Sequence, residues 1–200
     1  MSKQLREYSL YVAPKIIGQI MPDGSYNVFD ERTRRRLDPE NLEDKIYIYE
    51  REVKGWFLDR ALRFLRNDDN EFIVLMIALS YIEGVEEYRR GELSNGRSKE
   101  FFTAGLQRIF FLSSVDQSDL EDFYKQVRCG LFHTGMTRKK VVLRKSFDLP
   151  IDFSESNTIK ISPGKFLREI QNDFDKYLMT LRNPSNTSER DKFDRLYTNI

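Results

Sequence analysis

The chain has 200 residues, 33 of them basic and 32 acidic, so its formal charge of +1 excludes binding to nucleic acids or membranes through overall charge. Apolar residues make up 40 % of the sequence, which is enough for the core of one domain and excludes disorder throughout. Cys129 is the only cysteine and His133 the only histidine, which excludes an internal disulfide and the usual zinc ligand sets, and no cofactor is expected.

Residues 1–50 are predicted to form a β-rich N-terminal segment. They start without the apolar stretch of a secretion signal, and the longest apolar run of the chain, residues 72–79, is too short to span a bilayer. We therefore expect a cytoplasmic protein that does not enter the membrane. KIIGQI and SYNVF flank the turn signal Pro-Asp-Gly at 22–24, which predicts a hairpin, and KIYIY at 45–49 predicts a third strand.

Helical periodicity then predicts four helices in succession. The first runs from Val53 to Asn67 with an apolar face that includes Phe57, Ala61 and Phe64. The second is capped by one of Asp68, Asp69 and Asn70, is apolar on nearly all sides up to Ile82, and turns polar at Glu83. The third begins at a capping Ser98. The fourth begins near Ser118 and carries Arg128 near its end and His133 at or just past it.

The last part of the chain is predicted to hold a β insertion, one more helix and a tail. KKVVLRKSF and NTIKI, within residues 139–161, suggest two strands of a hairpin-like insertion, and Ser162-Pro163 starts a fifth helix. Residues 184–200 form a polar C-terminal tail. The expected fold is therefore mainly α: an up-and-down bundle of about five helices over residues 51–183, with peripheral β segments.

The motif Arg128-Cys-Gly-Leu-Phe-His133, at the end of a late helix, resembles the signature of the HEPN family (higher eukaryotes and prokaryotes nucleotide-binding). That signature is an arginine, four to six residues, then a histidine. The resemblance covers about residues 53–182 and is strongest over SYIEGVEEYRRG and YKQVRCGLFHTGMTR. The region 1–50 has no counterpart in the family.

The resemblance implies a metal-independent endoribonuclease that acts as a homodimer, possesses no metal site, and serves as a toxin or anti-phage defence effector. An antitoxin or regulatory protein is an implied partner, and RNA is the implied substrate. Many active members place Asn, Asp or His directly after the arginine, whereas this chain has Cys129. The alternative is therefore a catalytically silent HEPN module that binds RNA, a nucleotide or a protein partner.

The residue types suit attack by a ribose 2′-OH on the adjacent phosphate. Histidine can transfer the proton near neutral pH, and the fork of Arg128 can stabilise charge on the phosphorane. Residues five apart on a regular helix lie about 140° from each other, so Arg128 and His133 do not share a face. Either the helix breaks at Gly130, or two chains meet about a two-fold axis and combine their pairs.

Two further groups of residues are candidates for the site. Glu83 could hydrogen-bond Arg128 or His133 and fix its orientation, or it could, with Glu86 and Glu87, mark the point where the helix enters solvent. Basic residues after the signature could contact the RNA backbone, or form a solvated face. They are Arg138, Lys139, Lys140, Arg144 and Lys145, and RTRRR at 32–36 is a second, weaker cluster.

Overall fold

The computed structural model describes residues 5–67 and 69–199, and the predicted capping candidate Asp68 lies outside them. This part of the chain is mainly α-helical, with two small sheets. No helix in it is long and apolar enough to cross a membrane. Contacts divide it into two compact units, which comprise residues 5–60, 88–93 and 176–199 in the first and residues 61–87 and 94–175 in the second.

The first unit opens with a four-stranded antiparallel sheet in the order β1-β2-β3-β4. The strands are β1 (Leu10–Ala13), β2 (Ile16–Ile20), β3 (Tyr26–Asp30) and β4 (Arg35–Leu37). The hairpin predicted around residues 22–24 is confirmed, because β2 pairs with β3 across that turn. Gly24 has φ of +81° there, a conformation that favours glycine.

The predicted strand at 45–49 is wrong, because those residues lie in helix α1, residues 42–64. The side chain of Asn41 accepts hydrogen bonds from the backbone of Glu43 and Asp44 and caps the helix start. Ile48 then packs against the inner face of the sheet, in a core with Val12, Ile16, Val28 and Leu37. The five-residue alternation of KIYIY was too short to outweigh this capping signal.

Helix α1 contains a π-helical stretch, Val53–Leu58, between α-helical Leu42–Glu52 and Asp59–Phe64. The backbone N–H of Asp59 donates to the carbonyl of Lys54, five residues earlier. This wider turn rotates the apolar face away from the one predicted by a 3.6-residue period. Ala61 is buried as expected, but Phe57 and Phe64 are exposed and Leu58 is buried in their place.

The other long helices lie close to their predicted bounds. They are α2 (Glu71–Arg90), α3 (Ser98–Ile109), α4 (residues 117–134) and α5 (Pro163–Arg182). In the second unit, buried side chains of all four helices form the core, and the ring of Phe123 on α4 stacks on Phe166 of α5 with centroids 6.2 Å apart. Ser98 is the first residue of α3 and not its cap, because Arg97 occupies that position.

The β insertion is a three-stranded sheet and not the predicted hairpin. Its strands are β5 (Val141–Leu143), β6 (Ile151–Asp152) and β7 (Ile159–Ile161), in the order β5-β7-β6. β5 and β7 are parallel, and β6 is antiparallel to β7. The long connection between the two predicted strands makes parallel pairing possible, since parallel neighbours need a crossover.

The predicted polar tail is instead a further helix, α6 (Thr187–Asn199), so the described chain has six continuous helices and not five. Phe193, Leu196 and Tyr197 are buried on one face of it, at the i, i+3, i+4 spacing of a helix. Phe193 packs on the rings of Tyr49 and Tyr88, with centroids 5.3 Å and 5.4 Å apart. Only three apolar residues carry this face, which is why the polar composition of the segment concealed it.

Candidate functional site

The candidate site lies in the second unit, where α2, the start of α3 and the end of α4 meet. Glu83 comes from α2, directly after the buried Tyr81 and Ile82; the predicted burial of this helix on nearly all sides is wrong, because Ile73 is 48 % exposed. Ser98 is the first residue of α3, and Arg128 lies in α4. The buried Ser94 comes from the loop between α2 and α3. Ser94 and Ser98, 11 and 15 residues after Glu83, and Arg128, 45 residues after it, thus converge on its carboxylate.

Glu83 and Arg128 form an ion pair, with 3.1 Å between Oε2 and Nη2. Two serines complete the coordination of the carboxylate: Ser98 Oγ donates to Oε2 at 2.6 Å and Ser94 Oγ donates to Oε1 at 2.9 Å. The side chains of Arg128 and Glu83 remain 23 % and 20 % exposed. The carboxylate is therefore held at both oxygens, and it fixes one corner of a guanidinium that solvent can still reach.

Two aromatic rings hold the guanidinium from the side. Its carbon lies 5.4 Å from the ring centroid of Tyr124 and 5.1 Å from that of Phe132, within range of cation–π attraction. Tyr124 also donates its hydroxyl to Ser98 Oγ at 3.2 Å. All hydrogen bonds of Arg128 to described residues run through Nη2, which leaves Nε and Nη1 available to another acceptor.

A π-helical stretch, Tyr124–Arg128, sets the direction of the arginine. The N–H of Cys129 donates to the carbonyl of Tyr124, five residues earlier, and α-helix resumes over Cys129–Thr134. Such single-turn insertions are frequent at functional sites. The buried face of α4 runs through this insertion, from Leu120 and Phe123 to Val127 and Leu131, while Arg128 stays partly exposed.

His133 lies in the last turn of α4, is exposed, and makes no hydrogen bond or ion pair with any described residue. Of the two alternatives that the sequence left open, the helix break at Gly130 is not found, because the helix continues to Thr134 and ends at Gly135, whose φ is +72°. Gly130 is needed for another reason: a Cβ there would lie 2.7 Å from the carbonyl oxygen of Met136, where the chain folds back. Arg128 and His133 therefore stay on different faces of a continuous helix.

The basic residues after the signature do not form one free surface. Lys140 bonds Asp122 at 2.5 Å, and Lys145 lies 3.3 Å from Glu71. Arg144 lies over the ring of Phe147, 5.7 Å from its centroid. Arg138 and Lys139 are exposed and pair with no described residue. Of the five, only these two are exposed cations without a side-chain partner among the described residues, as the sequence suggested for phosphate contact.

The structure thus brings Glu83 to Arg128, one of the two roles that the sequence allowed it, and leaves His133 apart. Sequence reasoning missed Ser94, Tyr124 and Phe132, and it assigned Ser98 to capping. The sequence held only a weak signal for these residues. Phe132 is four residues after Arg128, a spacing that makes them neighbours on a helix, and both serines precede or start a helix, where serine is usually a cap.

No protein-family model, curated protein or solved structure matches this chain. Within residues 5–67 and 69–199, no group of three or more acidic, histidine or cysteine side chains is arranged to hold a metal ion.

Proposed function

We propose that this protein is a metal-independent endoribonuclease of the HEPN type, an α-helical bundle enzyme that cleaves single-stranded RNA through attack by a ribose 2′-OH. The observation that carries the proposal is the fixed guanidinium of Arg128, held at one nitrogen by Glu83 and open at the others, on a helix that ends in the exposed His133. The proposed setting is the cytoplasm, where the enzyme acts as a toxin or defence effector restrained by an antitoxin or regulatory protein.

Arg128 supplies the fixed positive charge. Glu83, Ser98 and the flanking rings orient the guanidinium before RNA arrives, so no reorganisation is needed when the phosphorane forms. The open Nε and Nη1 present donors on two different edges of the guanidinium, and each can bond a phosphate oxygen. The proposed role is stabilisation of the additional charge in the transition state.

His133 transfers the protons. Imidazole can accept the proton of the 2′-OH or donate one to the leaving 5′ oxygen near neutral pH. Because the side chain is exposed and no described residue occupies its nitrogens, it is accessible to both roles. The 2′-OH requirement makes RNA, and not DNA, the substrate.

A homodimer completes the site in this proposal. On one continuous helix, Arg128 and His133 lie about 140° apart, so a single chain does not direct both at one phosphate. The side chains beside His133 are apolar and exposed, with Phe132 at 43 % and Met136 at 55 %. A two-fold contact through these residues would bury them and place two signatures around one cleft. The free Arg138 and Lys139 supply phosphate contacts at its rim.

The experiment is cleavage of a single-stranded RNA by purified protein in EDTA. The expected products carry 2′,3′-cyclic phosphate and 5′-hydroxyl ends, and 2′-O-methyl RNA resists cleavage because its nucleophile is blocked. His133→Ala and Arg128→Ala should each lower the rate by on the order of a hundredfold. Arg168→Ala, an exposed arginine of α5, is the matched control and should cleave normally.

Mixing the two inactive variants tests the shared cleft. If each cleft combines Arg128 of one chain with His133 of the other, mixed dimers of Arg128→Ala and His133→Ala contain one intact pair and recover activity. No recovery after subunit exchange would contradict the dimeric site. Equal cleavage by wild type and His133→Ala would attribute the activity to a contaminant and end the proposal.

One observation favours the silent module. Cys129 follows Arg128 and is half-buried, and its side chain makes no hydrogen bond with the described residues, so nothing replaces the polar neighbour of active HEPN members. A silent module would bind RNA equally well as wild type and as His133→Ala, with no cleavage by either. The same RNA, followed by anisotropy and by gel, separates the two functions.

A further inference from the structure

The outer face of the N-terminal sheet carries one continuous row of side chains across all four strands. Tyr11 of β1 is paired with Ile17 of β2, Ile17 with Phe29 of β3, and Phe29 with Arg36 of β4. Paired residues in neighbouring strands point to the same face. The opposite face is the core face, where the adjacent row ends in Val28 and Leu37.

This outer row is open to solvent. Tyr11 is 50 % exposed and Arg36 is exposed, while Ile17 and Phe29 are half-buried by their neighbours. Among the described residues, no ring or cation stacks on Tyr11 or Phe29. The hydroxyl of Tyr11 donates to Glu31 at 3.2 Å, which fixes the orientation of the ring on the sheet. Two aromatic side chains, Tyr11 and Phe29, therefore lie on the same face of the sheet with one strand between them.

The strand edge beside the row is cationic. Arg32, Arg34 and Arg36 are exposed, whereas Arg35 is paired with Asp44. Glu31 is exposed and pairs with Tyr11 and Lys15, whereas Asp30 is fully buried and does not compete for a ligand. It accepts hydrogen bonds from Tyr47 at 2.6 Å and from the backbone of Arg32 at 2.8 Å, which anchors the turn that displays the arginines.

A cavity of about 370 Å³ adjoins the row at the β2–β3 turn. Its lining includes Asn27, which is on the outer face two residues from Phe29, together with Ser25, Tyr26 and Arg36. The amide of Asn27 and the guanidinium of Arg36 are donors that can bond the edge of a base. Arg36 thus belongs both to the row and to the cavity.

We propose that this face is a binding site for single-stranded RNA, in which Tyr11 and Phe29 stack on bases, Arg36 and its neighbours bind phosphates, and the Asn27 cavity accepts a base edge. Aromatic platforms interleaved with arginine on an open sheet suit unpaired bases, because every base offers a π-face and every linkage a charge. The choice of RNA as the nucleic acid rests on the proposed function. The stacking surface itself is inferred from the residues of the sheet, independently of that function.

The experiment measures binding by anisotropy, using a fluorescein-labelled 12-nucleotide single-stranded RNA and full-length His133→Ala protein so that cleavage cannot interfere. Phe29→Leu and Tyr11→Leu should each weaken binding about tenfold, the scale of one lost base stack. Arg36→Gln should reduce the slope of log affinity against log salt by about 0.7, which corresponds to one phosphate. A fully paired RNA duplex should bind equally to wild type and Phe29→Leu, since its bases are not available for stacking.

Matched controls come from the same unit. Phe57→Leu removes a ring that is 47 % exposed on α1, and Arg60→Gln removes an exposed arginine of that helix. Neither should change affinity by more than twofold. Circular dichroism checks each fold, and ultraviolet crosslinking of 5-iodouridine RNA to the unmutated sheet gives a readout that needs no sheet variant: the crosslinked peptides should contain Tyr11 or Phe29.

Failure of this proposal and failure of the proposed function differ in outcome. RNA cleavage by wild type, with affinity unchanged in Phe29→Leu and no crosslink in the sheet, overturns the binding site and leaves the enzyme. No cleavage, with affinity lost in Phe29→Leu but not in Phe57→Leu, supports the binding site and overturns the enzyme. Absence of RNA binding by the His133→Ala protein overturns the binding site outright.

Discussion

Two arginine sites in the second unit use carboxylates only three residues apart on α2, and they differ in how many negative charges they hold. Arg108 of α3 bonds Glu86, with 3.3 Å between Nε and Oε2, and also bonds Asp173 of α5. Asp173 accepts a further hydrogen bond from Tyr81 at 2.9 Å. Arg128 of α4 bonds only Glu83 among the acidic residues and shares it with two serine hydroxyls.

The difference separates an arginine that holds helices together from one that can accept a ligand. Arg108 pairs with two carboxylates, which would repel an approaching phosphate. Burial alone would lower the pKa of Arg108, but the hydrogen bond and charge of Asp173 and the charge of Glu86 outweigh it and raise that pKa above its usual range. The Arg128 cluster is neutral, and two of its three guanidinium nitrogens bond no described residue.

The largest expected effect is on stability, and it falls on the first site. Arg108→Met should lower the free energy of unfolding by about 3 kcal/mol, because it removes the guanidinium that bonds Glu86 and Asp173, each only about one-tenth exposed. Urea denaturation measures the loss. Arg128→Met should cost less than about 1 kcal/mol, since the two serines still satisfy the more exposed Glu83.

Equal losses for the two methionine variants would contradict the comparison, because Arg128 would then be as structural as Arg108. Folded Arg108→Met should retain RNA cleavage within about twofold. If Arg108→Met lost activity a hundredfold while its thermal unfolding midpoint without urea stayed well above the assay temperature, Arg108 and not Arg128 would be the charge-stabilising arginine.

Sequence alone could predict the helices of the second unit because each has a long apolar stripe. It also anticipated that Glu83 could reach Arg128, from the point at which α2 turns polar. It could not predict α6, which has few apolar residues and whose Phe193 packs on Tyr49 and Tyr88, far away in the chain. Nor could it pair β5 with β7, since strand direction is set by the crossover and not by the strands' own composition.

The finer geometry of the site depends on features without a compositional signal. A π turn adds one residue to a helical turn, and nothing in YKQVR marks where it falls. Ser98 satisfies the usual pattern of a helix cap, yet its hydroxyl bonds Glu83. The sequence distinguished Arg128 from Arg108 only through its spacing to His133, and nothing in it showed that Arg108 also pairs with a carboxylate of α2.

A smaller effect is expected at two glycines near the second site. Gly130→Ala should lower the free energy of unfolding by about 2 kcal/mol, since the new methyl would lie 2.7 Å from the backbone oxygen of Met136, which cannot move without shifting the returning chain. Gly84→Ala, next to Glu83 in α2, meets nothing within 4 Å and should raise it by about 0.5 kcal/mol. Thermal and urea unfolding of both variants give the two values.

Changes of opposite sign in the free energy of unfolding of the two alanine variants would agree with a tightly packed end of α4 and an α2 surface with room for an added methyl group. A stabilised Gly130→Ala would mean that the chain after Gly135 does not pack on the helix, and the fixed position of His133 would lose its support.

The smallest expected effect tests whether Glu83 positions Arg128 or only neutralises it. Glu83→Gln keeps an amide oxygen for the guanidinium and the serines but removes the charge, so the orientation of Arg128 is weakened and not abolished. We expect single-turnover cleavage to slow about tenfold, equivalent to about 1.4 kcal/mol in the barrier, with the apparent KM changed less than twofold. Glu86→Gln is the matched control and should leave the rate unchanged, because Arg108 retains Asp173.

A merely structural role for Glu83 would produce a different pattern. The unfolding free energy would fall in Glu83→Gln by as much as in Glu86→Gln, while the cleavage rate of the folded protein would stay constant. A change in KM without a change in the maximal rate would instead assign Glu83 to ground-state binding, as expected if its charge only repels the RNA backbone. The proposed positioning role requires the rate to fall at constant KM and constant stability, and that combination arises only if the carboxylate acts through the direction in which it holds the guanidinium of Arg128.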